Sequence, residues 1–160
     1  LKVEINPHEE SFMNALKPLA RHAHWALRLA ILSVFLYHGL DKFGNLGGFA
    51  EMTGLPVVVA LLVALAEAGG GLLVFLGGFL KDWMTRLGAL AIMPVMLGAI
   101  FMVHWGQWSF MATETHPMGG MEFQVTLLLI VVYLAIKGNG VNHPGDAPVN
   151  AGAETIHQAA

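Results

Sequence analysis

The stretch Arg28-Leu-Ala-Ile-Leu-Ser-Val-Phe-Leu-Tyr-His38-Gly-Leu-Asp-Lys42 decides the fold. Its central run, Leu29 to Tyr37, is apolar enough for a membrane helix, yet charged groups stand on both sides of it. At 100° per residue, Arg28, His38 and Lys42 fall within roughly 80° of one another, with His24 and Phe35 on the same stripe and Tyr37 turned away. Ionisable groups at membrane depth are energetically costly, and they mark a functional site by default. The remaining helices are therefore read as what this stripe faces.

Composition supports a membrane-embedded chain. Of 160 residues, 56% are hydrophobic and only 12% charged, where a soluble domain carries about 25% charged residues. A net charge of −3 gives no basic footprint for nucleic acid. Cysteine is absent, which excludes disulfides, thiolate metal sites and iron–sulfur clusters held by this chain alone. Residues 1–22 contain no apolar core of the kind a secretory signal has.

The expected fold is an all-α membrane protein, a four-transmembrane-helix bundle preceded by an amphipathic interfacial helix. Residues 1–22 form the interfacial segment. Asn6 is placed to cap it, Pro7 suits the first helical position, Glu9 completes a capping box, and Pro18 is expected to break it. A short surface helix packed on the first span is the alternative. Residues 23–140 carry the four spans, near 23–43, 55–80, 87–105 and 121–136. Glycines and Asn45 make 44–54 a loop, residues 81–86 a tight polar turn, and Pro94 kinks the third span. Gly106 to Gly120 is a longer loop, and residues 141–160 form a flexible tail.

With four spans, Lys2, Lys17, Arg21, Lys81, Arg86 and Lys137 share one side and Lys42 stands alone on the other. The positive-inside rule then puts both termini in the cytoplasm.

Glu67 lies near the centre of the second span. A lone carboxylate in hydrocarbon neutralises or finds a partner. Counting about 1.5 Å per residue puts Arg28 roughly 8 Å to one side of the midplane and His38 roughly 7 Å to the other. The sequence thus predicts a buried cluster of Glu67 with Arg28, His38 or both. It serves either as a proton-handling or headgroup site or as an ion pair that fixes helix register.

A second polar set gathers at the opposite surface: Lys42, His104, Glu114, His116 and Glu122, with His104 placed to meet Glu122. His38 and His104 could line one pocket there, as donors to a quinone carbonyl or as axial ligands of a haem. No second ligand pair or attachment motif supports haem. Met102, Met111, Met118 and Met121 with His104 and His116 have the soft ligand chemistry of copper(I), though their spacing is irregular and methionine is common core filler. An ordinary interfacial histidine is the competing reading of His116.

Arg28, the apolar run and His38-Gly39-x-x-Lys42 together resemble the first helix of the DoxX family of small integral membrane proteins. Glu67 with Gly70-Gly71 and Gly77 resembles that family's second helix, and Gly138-Asn139-Gly140 the close of its fourth. The resemblance covers residues 23–140. It implies a four-helix inner-membrane protein of bacteria or archaea, associated with redox enzymes; the related DoxD belongs to a membrane thiosulfate:quinone oxidoreductase. On that basis Glu67 and His38 are expected to exchange protons, and Arg28, Lys42 and His104 to bind a quinone headgroup. The electrons would come from a partner protein. The alternative is a non-catalytic scaffold or accessory subunit of a larger complex, with the glycine faces docking another membrane protein. Segments 1–22 and 106–120 lie outside the shared pattern and are expected to meet the chain's own partners.

Overall fold

The computed structural model describes residues 7–20 and 22–140, and among these residues all regular structure is helical. Helix α1, Pro7–Ala20, belongs to a unit separate from residues 23–139. It begins at Pro7, where a missing N–H costs nothing. It also runs through Pro18 rather than breaking there. Phe12, Leu16 and Leu19, spaced to share one helix face, are exposed. The cap expected at Asn6 and the tail at 141–160 lie outside the described residues.

The second unit, Ala23–Asn139, holds α2 (His24–Gly44), α3 (Leu46–Thr53), α4 (Val57–Gly77), α5 (Asp82–Ala99), continued by a π-helical turn at Ile100–His104, and α6 (Glu122–Lys137). Helices α2, α4, α5 and α6 pack in sequence, each antiparallel to the one before. Ile31, Phe35, Val74, Ala89, Ile92, Met96, Leu127, Val131 and Leu134 fill the core between them. Among the described residues, two helices are long and apolar enough to cross a membrane, Val57–Gly77 and Asp82–His104.

Glycine sets the close approaches. A Cβ on Gly39 would lie 2.6 Å from the Ala68 nitrogen, so α2 and α4 meet backbone to backbone. Gly70 and Gly88 do the same for α4 and α5, where a Cβ on Gly88 would lie 2.6 Å from the Gly70 carbonyl oxygen. These small faces join the chain's own helices.

Two expectations are corrected. Residues 44–54 are not a loop, because the expected breakers are the caps of α3: Asn45 Oδ1 accepts from the Gly48 N–H at 3.0 Å, and Gly54 ends the helix at φ +69°. Residues 81–86 are not a turn, since only Lys81 is extended and α5 begins at Asp82. Pro94 lies inside α5, and the helix continues in π geometry from Ile100 to His104, which is buried.

Candidate functional site

The stripe on α2 divides into two sites with different chemistry. Arg28 and Lys42 are fourteen positions apart on one helix, roughly 21 Å along its axis. They belong to opposite halves of the bundle.

Arg28 is fully buried, and its five N–H donors all have acceptors. Nε donates to His24 Nδ1 at 3.0 Å. Nη1 donates to the Val74 carbonyl and, at 2.8 Å, to Thr85 Oγ1. Nη2 donates to the Gly138 carbonyl at 3.3 Å and to Asn139 Oδ1 at 2.8 Å. The Thr85 hydroxyl donates a hydrogen bond to Asn139 Oδ1 at 2.7 Å, and Asn139 Nδ2 donates to the Gly77 carbonyl at 2.7 Å. Trp25 covers the guanidinium, 5.8 Å from its ring centroid.

The partners explain why an arginine is tolerated there. The last four carbonyls of a helix have no partner within it, and they carry the negative end of its dipole. Val74 and Gly77 lie in the last turn of α4, and Gly138 caps α6. Arg86 completes the arrangement by donating to the Ala135, Ile136 and Lys137 carbonyls while pairing with Asp82 at 2.5 Å. Asp82 in turn accepts from the Asn139 N–H. In lipid, where water cannot satisfy helix ends, this end of the bundle is closed by side chains. Arg28 is therefore a helix-end cap shared by two helices, and no donor is left over for a bound headgroup.

Lys42 forms the other site. Its Nζ lies 2.7 Å from Glu67 Oε2, with side-chain exposures of 15% and 6%. Helical side chains lean toward their own N-terminus, so the Lys42 stem runs back along α2. Nζ comes within 3.4 Å of the His38 carbonyl and 5.0 Å of the Phe49 ring centroid on α3. The Lys42 ammonium is the partner of the buried Glu67 Oε2. Glu67 sits midway along α4.

The sequence expectation paired Glu67 with Arg28 or His38, and this is corrected in part. Arg28 is engaged two turns away at Val74, and the direct partner is Lys42. His38 is exposed, stacked edge-on against Tyr37, and within electrostatic range of the carboxylate. The structure thus brings Glu67, Lys42 and His38 together and leaves Arg28 elsewhere. It also adds Phe49, which the reading of 44–54 as a loop had hidden.

His104 and His116 stand apart from this group. His104 is buried, with Nδ1 2.9 Å from the Gly119 carbonyl and Nε2 3.0 Å from Gln124 Nε2. Its expected neighbour Glu122 instead accepts from the Phe110 N–H at 3.3 Å. The His38 ring is exposed on α2, while His104 is buried and held by the Gly119 carbonyl and Gln124. His116 holds loop 106–120 through the Trp105 carbonyl at 3.1 Å and Thr115 Oγ1 at 3.1 Å. Met102 and Met118 are exposed. Among the described residues no group of three His, Asp or Glu side chains could hold a metal. Thr85, Asn139 and Gln124 were missed because an uncharged side chain at a helix end carries no sequence signal.

Comparison with known proteins agrees with the stripe. The DoxX family profile matches residues 23–105. A protein of Bacillus subtilis (strain 168) named "Putative oxidoreductase CatD" is 33% identical over 116 residues, covering 71% of this chain and 77% of the relative. No solved structure matches the chain. The matched region contains both halves of the α2 stripe, Glu67 and the glycines that seat α2 on α4 and α4 on α5. The chain belongs to the DoxX family of membrane proteins.

Proposed function

We propose that this chain is a four-span subunit of a respiratory or sulfur-linked redox system in the cytoplasmic membrane of a bacterium or archaeon, with both termini cytoplasmic. In this reading α2 and α6 span with α4 and α5, and α1 lies at the membrane interface. The Lys42–Glu67 pair with His38 exchanges protons with a quinone headgroup. The observation that carries this is a buried carboxylate midway along an apolar helix, paired with one ammonium.

Each residue has a distinct part. His38, on the exposed face, is the group through which protons reach or leave the pair. Glu67 is the interior proton acceptor and donor. Lys42 balances its charge and offers ammonium N–H donors, so a proton can arrive or leave without a bare charge in the bilayer. Phe49 supplies an apolar wall for a ring. A quinone fits this set, since its reduction consumes two protons with two electrons, and the electrons come from a partner redox protein. Support from family is coarser: a relative named as an oxidoreductase is consistent with redox work.

The test is mutational. Glu67→Gln and His38→Ala are expected to leave assembly with partner proteins intact while abolishing quinone-linked turnover. If both variants lose assembly while activity per complex is unchanged, the site is an architectural one and the chain is an accessory subunit.

A further inference from the structure

Loop 106–120 is built the wrong way round for water. Trp105 at its entrance and Trp108, Phe110, Met111 and Met118 along it are 58% to 62% exposed. Gln107 and His116 are half-buried, and their polar atoms bond to the loop itself. Gln107 Nε2 donates to the Ser109 carbonyl at 2.8 Å and to the Met111 carbonyl at 2.6 Å. Its Oε1 accepts from the Thr113 hydroxyl at 2.8 Å, and His116 Nε2 meets the Trp105 carbonyl at 3.1 Å. A loop in water reverses this order, with long polar side chains outside and solvent bonded to the backbone.

The backbone is closed in the same manner. Gly120, Met121 and Glu122 donate their N–H groups to the Ser109, Gln107 and Trp108 carbonyls at 2.8, 3.0 and 2.9 Å. Thr113 and His116 exchange both of their backbone hydrogen bonds, at 3.0 and 3.2 Å, and His104 holds the Gly119 carbonyl. Non-helical backbone is tolerated near lipid only where protein satisfies its polar groups, and these positions meet that condition. The exposed apolar surface also continues onto the helices: the Phe101 ring lies 5.1 Å from the Trp105 ring, and Phe101 and Phe123 are both exposed. From Leu87 to Ile136 the sequence has no lysine or arginine, and Glu114 is the one acidic residue between 106 and 120.

We propose that loop 106–120 is seated in the lipid interface beside the spans, with Trp108 and Met111 against acyl chains and Glu114 at the water. Tryptophan concentrates at that depth because its ring is apolar and its N–H is wet. With no cation in the loop, the hold is apolar contact, so seating does not depend on lipid charge. Lipid is favoured over a protein partner because the loop's polar groups are already bonded within it. A protein interface typically uses about ten direct hydrogen bonds, and this surface has few to give. The inference rests on the chain's membership of a membrane-protein family and stands without the Lys42–Glu67 site.

The chain has no cysteine, so a single introduced one takes a spin label uniquely. Met111→Cys, Glu114→Cys and Leu65→Cys, all at exposed side chains, are labelled in the purified full chain and placed in lipid nanodiscs. Electron paramagnetic resonance then measures collision with oxygen, which concentrates in lipid, and with a water-soluble nickel chelate. The label at 111 is expected to meet oxygen several-fold more than nickel, as at Leu65 on α4, and the label at 114 to show the reverse. Zwitterionic and anionic nanodiscs should give the same result. Leu65→Cys reports separately on whether α4 itself is in lipid. Nickel access at 111 equal to that at 114 overturns the proposal, and so does an oxygen preference found only in anionic lipid. A label at 111 that is in water in the purified chain, and shielded only when other membrane proteins are added, makes this a protein-docking face and overturns it too.

Discussion

Lys42 Nζ lies 2.7 Å from Glu67 Oε2, and the carboxylate is at the middle of the most apolar helix in the chain. Removing one partner of such a pair leaves an uncompensated buried charge, and removing both does not. Lys42→Met alone is expected to destabilise the protein by about 3–5 kcal/mol, and the double change Lys42→Met with Glu67→Leu to recover most of it. Thermal unfolding in detergent measures both. Equal loss in the single and double variants would show that the two side chains act independently.

Arg28 makes its contribution through geometry as much as through charge. A lysine there keeps the charge but cannot reach five acceptors on three sides, so Val74, Gly138 and Asn139 lose partners. Arg28→Lys is expected to lower stability by about 2–4 kcal/mol. Hydrogen exchange should show α4 and α6 fraying at their C-terminal turns. Protection unchanged in those turns would contradict the capping role.

The two glycines at positions 39 and 69 should respond in opposite ways. Gly39→Val drives a side chain into the Ala68 backbone and should cost about 1–3 kcal/mol as α2 is levered off α4. Gly69 has open space at its Cβ position, so Gly69→Ala should be neutral or stabilising by about 0.5–1 kcal/mol. Differential scanning of the two variants side by side checks the packing directly.

His104 ties loop 106–120 to the bundle through the Gly119 carbonyl and to α6 through Gln124. His104→Phe keeps a ring of similar size but loses both contacts. Limited proteolysis is expected to cut within 106–120 several-fold faster, with α2, α4 and α5 still resistant. Loop cleavage at the wild-type rate would mean that the His116 contacts with Trp105 and Thr115 hold the loop by themselves.

The sequence showed that Arg28 and Glu67 are special, because a charge inside an apolar run is visible by inspection. It did not show what each one meets. Most of Arg28's acceptors are main-chain carbonyls, or the side chain of Asn139 more than a hundred residues away, and no residue type announces those. Lys42 was assigned to the surface because depth was counted from α-carbons, whereas its stem reaches back more than a turn along α2. Asn45 and Gly54 were correctly recognised as punctuation, but they cap a helix from outside instead of marking a loop between them. The four main helices were legible from apolar run length and their glycine breaks; the start of α5 was not, since Asp82 and Arg86 pair within a first turn that reads as polar.

The central claim is that Glu67, beside Lys42, changes protonation when the protein works. Infrared difference spectroscopy on the membrane-reconstituted protein, recorded between oxidised and reduced quinone, measures this. The account predicts a carboxyl protonation band that disappears in Glu67→Gln and moves in Lys42→Met. A band that persists unchanged in Glu67→Gln, or no carboxyl band in the wild-type protein, would contradict it.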